Sequence, residues 1–179
     1  MKNTFLKTIG TAALAILMTV IFTPIQTPAQ DKNNEQKHDE QTQENLSGQS
    51  GGERIIGTWD VQVTLRNCQN NAAIRTFPSI GTFMSGGTML DSTSGIPQTL
   101  KTPGHGVWSH TGGKEFKFSF KSFSFDANGN FTGWTIIRHS ALLNSRGIGY
   151  ESFGTAEVYA PNGNLLFTGC SSTTATRFE

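Results

Sequence analysis

From Arg54 to Glu179 the chain is broken by turn residues into runs that suit short β-strands and leave no room for a packed helix. Gly57–Arg66 sets the pattern. Trp59, Val61, Val63 and Leu65 share one face, and Asp60, Gln62, Thr64 and Arg66 the other, the alternation of a half-buried strand. Arg75–Met84 and Thr88–Thr93 flank the turn Ser85-Gly86-Gly87. After a loop rich in Pro and Gly (residues 94–106), Val107–Thr111 and Lys114–Phe125 flank Gly112-Gly113. Phe131–Ser140, Ile148–Tyr159 and Leu165–Arg177 complete eight strands. Asn128-Gly129 and Asn162-Gly163 supply the positive φ their hairpins need. Only Ala141–Ser145 reads as briefly helical. Eleven of the 13 Phe fall in this region, which favours strands over helices.

Eight sequential antiparallel strands with short connections predict an all-β, up-and-down barrel, because closure removes exposed sheet edges. A β-sandwich is the competing arrangement. The two ends of the region discriminate between them. If the first strand pairs antiparallel with the last, Trp59 opposite Arg177 and Cys68 opposite Cys170 require registers only two residues apart. A bulge or a diagonal contact absorbs that difference. The same pairing predicts a Cys68–Cys170 disulfide. It would close a loop of roughly 100 residues, worth about 4 kcal/mol in the chain-entropy model.

Gly57-Thr58-Trp59 at the start and Arg177 at the end resemble the opening Gly-x-Trp and the closing Arg of the lipocalin, or wider calycin, superfamily. The resemblance implies an eight-stranded barrel with one end shut, where Arg177 packs over Trp59 through a cation–π contact.

The N-terminal part reads as an address and a tether. Lys2 and Lys7 precede an apolar run from Ile9 through Phe22, and Thr27 and Ala29 suit a signal-peptidase site, so residues 1–29 are expected to be a signal peptide. The run is short of the ~20 apolar residues of a spanning helix, so no membrane span is expected after cleavage. Residues 30–53 are polar, with Leu46 the one large aliphatic, and are expected to form a disordered linker. The barrel domain is placed at 54–179, exported to the periplasm or the extracellular space, where a disulfide persists. A net charge of +1 without clustered Lys or Arg argues against a nucleic-acid partner.

Hairpin pairing orients the strands. Phe125 opposite Phe131 places Phe118 against Arg138, Phe120 against Ile136 and Ser122 beside Trp134. Tyr159 opposite Leu165 carries Glu151, Phe153, Glu157 and Tyr159 inward, with Phe167, Ser171, Thr173 and Ala175. Phe123 and Phe125 break the parity of Phe116–Phe120, which suggests a bulge near Lys121–Ser122. The expected lumen is lined by Phe116, Phe118, Phe120, Trp134 and Ile136. Arg138 meets the anionic head of a small hydrophobic or amphipathic guest there. Two other readings stand beside a binding protein. One is a barrel enzyme similar to allene-oxide-cyclase or dirigent-like isomerases and cyclases, with Glu151 or Glu157 as acid or base and Tyr159 as hydrogen-bond donor. The other is a structural envelope protein whose barrel is filled by side chains. His105, His110 and His139 lack a recognisable metal-ligand spacing. No metal or other cofactor is expected, and neither a Gly-x-Ser-x-Gly elbow nor a Walker loop occurs.

Overall fold

The computed structural model describes residues 52–179, so the expected signal peptide and nearly all of the expected linker lie outside the described residues. A short 3-10 turn (Glu53–Ile55) leads into eight strands: β1 (Gly57–Arg66), β2 (Ala73–Met84), β3 (Thr88–Thr93), β4 (Gly104–Gly112), β5 (Glu115–Phe125), β6 (Phe131–Leu143), β7 (Gly149–Tyr159) and β8 (Leu165–Arg177). Each pairs antiparallel with its neighbours in sequence, and β8 pairs with β1 to close the barrel. No helix among the described residues is long and apolar enough to cross a membrane.

The closing seam has the register expected from the two ends of the domain. Trp59 lies opposite Arg177, and one unbroken ladder runs to Arg66 opposite Cys170. Cys68 sits two residues beyond, in the turn after β1, and reaches Cys170 diagonally to form the disulfide, with Cα atoms 5.2 Å apart. The difference of two residues is thus a diagonal contact, not a bulge.

One end of the barrel is solid. Ile55, Trp59, Phe83, Phe116, Leu143 and Tyr150 are buried there in a single cluster, with Trp59 edge-on to Tyr150 at 5.1 Å and Phe83 edge-on to Phe118 at 5.6 Å. Trp59 Nε1 donates to Ile55 O (2.9 Å), which ties the entering 3-10 turn across the floor. Arg177 lies over the Trp59 ring, 4.4 Å from its centre. The guanidinium donates to Ile56 O (2.8 Å), Arg54 O (2.7 Å) and Gly147 O (3.1 Å). Gly57 makes this seat possible, because its φ is 129° and a Cβ there would fall 2.6 Å from Arg177 Nη1.

Two hairpins depart from the expected side-chain faces for one shared reason. Phe125 does pair with Phe131, and Tyr159 with Leu165, yet the register shifts by one residue immediately afterwards. Thr132 is the extra residue in β6 and Leu166 the extra residue in β8, each a β-bulge just past its turn. Gly133 (φ 128°) carries the first bulge, with its α-carbon so close to Tyr159 O that no side chain fits. Ser119 therefore faces Arg138, Phe120 faces Ile137 and Phe118 faces His139. Because strand residues alternate faces, one inserted residue inverts the whole strand relative to its neighbour.

Three expectations change with it. Trp134, Ile136 and Arg138 of β6 point outward, as do Glu151, Phe153, Glu157 and Tyr159 of β7. The parity break in β5 is no bulge at Lys121–Ser122. The strand runs on regularly, and Phe123 and Phe125 face outside, where both meet Phe131 at 5.8 and 6.1 Å. Ala141–Leu143 are not helical but end β6, with Ala141 and Leu143 buried and Leu142 exposed between them.

Candidate functional site

Above the solid floor the barrel encloses a cavity of about 300 Å³, at the small end of the range for ligand pockets. Each wall strand contributes alternate residues. Val61, Val63 and Leu65 come from β1, and Phe118 and Phe120 from β5. Thr135 and Ile137 come from β6, Ala156 and Val158 from β7. At the mouth stand Phe77, Phe167 and Ile96; Phe167 and Ile96 are largely exposed.

Of the residues expected to line the lumen, Phe118 and Phe120 do so, their rings stacked 6.4 Å apart. Phe116 also points inward but belongs to the floor, beneath the cavity. On β8 the inward set is Phe167, Ser171, Thr173 and Ala175. Trp134, Ile136 and Arg138 stand on the outer wall. There Trp134 stacks on Tyr159 at 5.6 Å and carries the Lys121 ammonium 4.2 Å above its ring. Glu157 accepts hydrogen bonds from Arg138 (2.5 Å) and from the Tyr159 hydroxyl (2.6 Å) on that same outer face. These bonds, Tyr159 first, hold the Glu157 carboxyl below its ordinary range. Glu151 is exposed.

Two polar clusters interrupt the apolar lining. On the β6–β7–β8 wall, His139 is buried. Its Nδ1 lies 2.7 Å from Ser152 Oγ and its Nε2 2.8 Å from Ser171 Oγ, and Ser152 reaches Thr173 at 2.6 Å. Desolvation pulls the His139 pKa down to about 4, so the imidazole is neutral at pH 7, donating through one nitrogen and accepting through the other.

The second cluster joins β2, β3 and the long connection between β3 and β4. Asp91 is buried and accepts from Ser79 Oγ at 2.7 Å. Its other oxygen lies 3.8 Å from the ammonium of Lys101, whose side chain is 9% exposed. Residues 94–103 carry that lysine across the mouth: a 3-10 turn (Gln98–Leu100) is followed by Lys101 bridging to Ser124 of β5. Burial raises the Asp91 pKa and lowers that of Lys101. Tyr150 rises from the floor beside this pair, its phenol pushed up first by burial and then by the Asp91 charge.

Sequence reasoning passed over both clusters. Asp91 shares the face of Met89 in the alternation of β3, which is a readable sign of an inward acid. Lys101 sits in an aperiodic loop, and His139 becomes inward only through the bulge at Thr132. The three histidines considered together lie apart: His105 is exposed opposite Lys121, His110 packs on Phe116 near the floor, and His139 is in the lumen. Among the described residues no cluster of three or more His, Cys, Asp or Glu forms a cation site.

Fold and cavity together define a closed, eight-stranded antiparallel up-and-down barrel with one sealed end and a small, mainly apolar lumen. The chain matches no protein-family profile and no curated protein sequence at a significant level.

Proposed function

We propose that this protein is an exported carrier whose lumen holds a small hydrophobic or amphipathic molecule. The observation that carries this reading is the apolar cavity of about 300 Å³ above a sealed floor. An unfilled space lined by Val, Leu, Ile and Phe forfeits dispersion contacts that a guest restores. That unfilled space also weighs against a barrel packed solid as a purely structural element. The disulfide supports an oxidising compartment outside the cytoplasm. A lumen isomerase or cyclase using Glu151, Glu157 and Tyr159 finds no support, because all three stand on the outer wall.

The test is organic extraction of the purified protein followed by mass spectrometry. A stoichiometric small molecule in the extract supports the reading. An empty extract, together with no uptake of an apolar fluorescent probe, overturns it.

A further inference from the structure

Arg138 faces away from the cavity, so the polar end of a guest must be met by other groups. The His139 cluster is hydrogen-bonded within itself and Arg75 is exposed at the rim, and the remaining candidates lie together at one side of the lumen. The Lys101 ammonium has three N–H donors and forms a 3.8 Å ion pair with Asp91 Oδ1, longer than a direct hydrogen bond. Asp91 Oδ2 is already engaged by Ser79. Tyr150 is buried to 5% exposure and lines the same cavity beside Asp91. Gly81 lies directly opposite Asp91 in the β2–β3 ladder. It has no side chain, and a methyl group built there would approach the Tyr150 oxygen to 3.9 Å. A small niche is thereby left open, bounded by donors on Lys101 and Tyr150 and by an acceptor on Asp91.

We infer, building on the guest-binding reading above, that this niche selects a neutral, hydroxyl-bearing apolar molecule over a carboxylate of the same size. An alcohol oxygen accepts from the ammonium or the phenol while its O–H donates to Asp91 Oδ1, so one hydroxyl matches both the donors and the acceptor of the niche. Charge sets the preference. Asp91 and Lys101 cancel one another, so a neutral head group leaves the enclosure neutral. A carboxylate brings a second negative charge beside Asp91, where the dielectric is low and the Lys101 cation is already matched to Asp91. The hydrocarbon of the guest then runs along Phe118, Phe120, Ile137 and Val158 toward the mouth. Because Lys101 belongs to residues 94–103, the head group also ties that connection to the lumen.

The experiment is displacement of N-phenyl-1-naphthylamine from the purified protein at pH 8 by 1-decanol, its methyl ether and decanoate. These share one tail and differ in whether the head donates and whether it is charged. The expected result is that decanol competes roughly tenfold or more better than either of the others. Asp91→Asn leaves Lys101 as an uncompensated cation and is expected to turn the preference toward decanoate. Lys101→Met, the second variant should Asp91→Asn not fold, is expected to weaken decanol while decanoate stays excluded. Decanoate or the ether matching decanol on the native protein overturns the inference, as does an alcohol preference unchanged in both variants. Failure of the probe itself to bind is a separate result, which removes the guest-binding reading and this inference together.

Discussion

Arg177 and Trp59 are direct cross-strand partners at the barrel seam, and the guanidinium lies 4.4 Å over the centre of the indole ring. One contact thus joins the first strand to the last and caps the floor. The Arg177 hydrogen bonds to Ile56, Arg54 and Gly147 carbonyls draw the entering segment and the β6–β7 turn into the same closure.

Arg177→Met removes the cation and leaves those carbonyls without their donor. The expected loss is about 3 kcal/mol of unfolding free energy, set by hydrogen bonds to a charged group plus the cation–π contact. A denaturant melt measures it. Loss within about 0.5 kcal/mol, the scale of ordinary surface changes, would show that the cap is decorative.

Gly57→Ala tests the same seat from the other side. The added methyl meets Arg177 Nη1 at 2.6 Å on a backbone with φ 129°. A destabilisation of about 2 kcal/mol or more is expected from strain and displacement together, read from the shift in denaturant midpoint. An unchanged midpoint would contradict the close approach.

The disulfide spans 102 residues of sequence. Replacing both Cys68 and Cys170 by Ser is expected to lower stability by about 4 kcal/mol, with the barrel still formed, because the bridge acts chiefly on the unfolded chain. Thermal melts of the double variant and of the parent under oxidising conditions measure the difference.

His139 gives the barrel a pH dependence. Its folded pKa is about 4, against an ordinary value near 6.5. The unfolded chain therefore takes up the proton first as pH falls. Stability is full above pH 6.5 and declines between there and pH 4, by up to about 3 kcal/mol. Asp91, with its raised pKa, pulls the other way as acid protonates it. The effect of His139 is accordingly the difference between the parent and His139→Gln in melts from pH 7.5 to 4.5. A difference that stays constant across that range would refute the assignment.

Much of this architecture is legible in the chain itself. Turn residues mark the strands, and the positions of Trp59, Arg177, Cys68 and Cys170 define the seam, because those constraints lie where the backbone is regular. The lumen was legible only as far as regularity lasted. The two Asn-Gly turns do set the first pair of each hairpin, but the bulges at Thr132 and Leu166 follow at once, and no side-chain type announces them apart from Gly133. One extra residue moved Trp134, Ile136 and Arg138 to the outer wall and brought Ile137 and His139 in. Lys101 had no periodicity to follow at all. Its position depends on the path of residues 94–103 over the mouth, a tertiary outcome.

The central claim is that an apolar guest occupies the lumen, and the most direct measurement is titration with N-phenyl-1-naphthylamine of three forms: the parent, Ala156→Phe and Tyr159→Ala. Ala156 lines the cavity, and Tyr159 stands on the outer wall. The account predicts saturable binding of one probe per barrel, weakened roughly tenfold or more when Phe fills the cavity, and unchanged by the outer-wall variant. Equal binding by all three folded forms, or loss only in Tyr159→Ala, would contradict it.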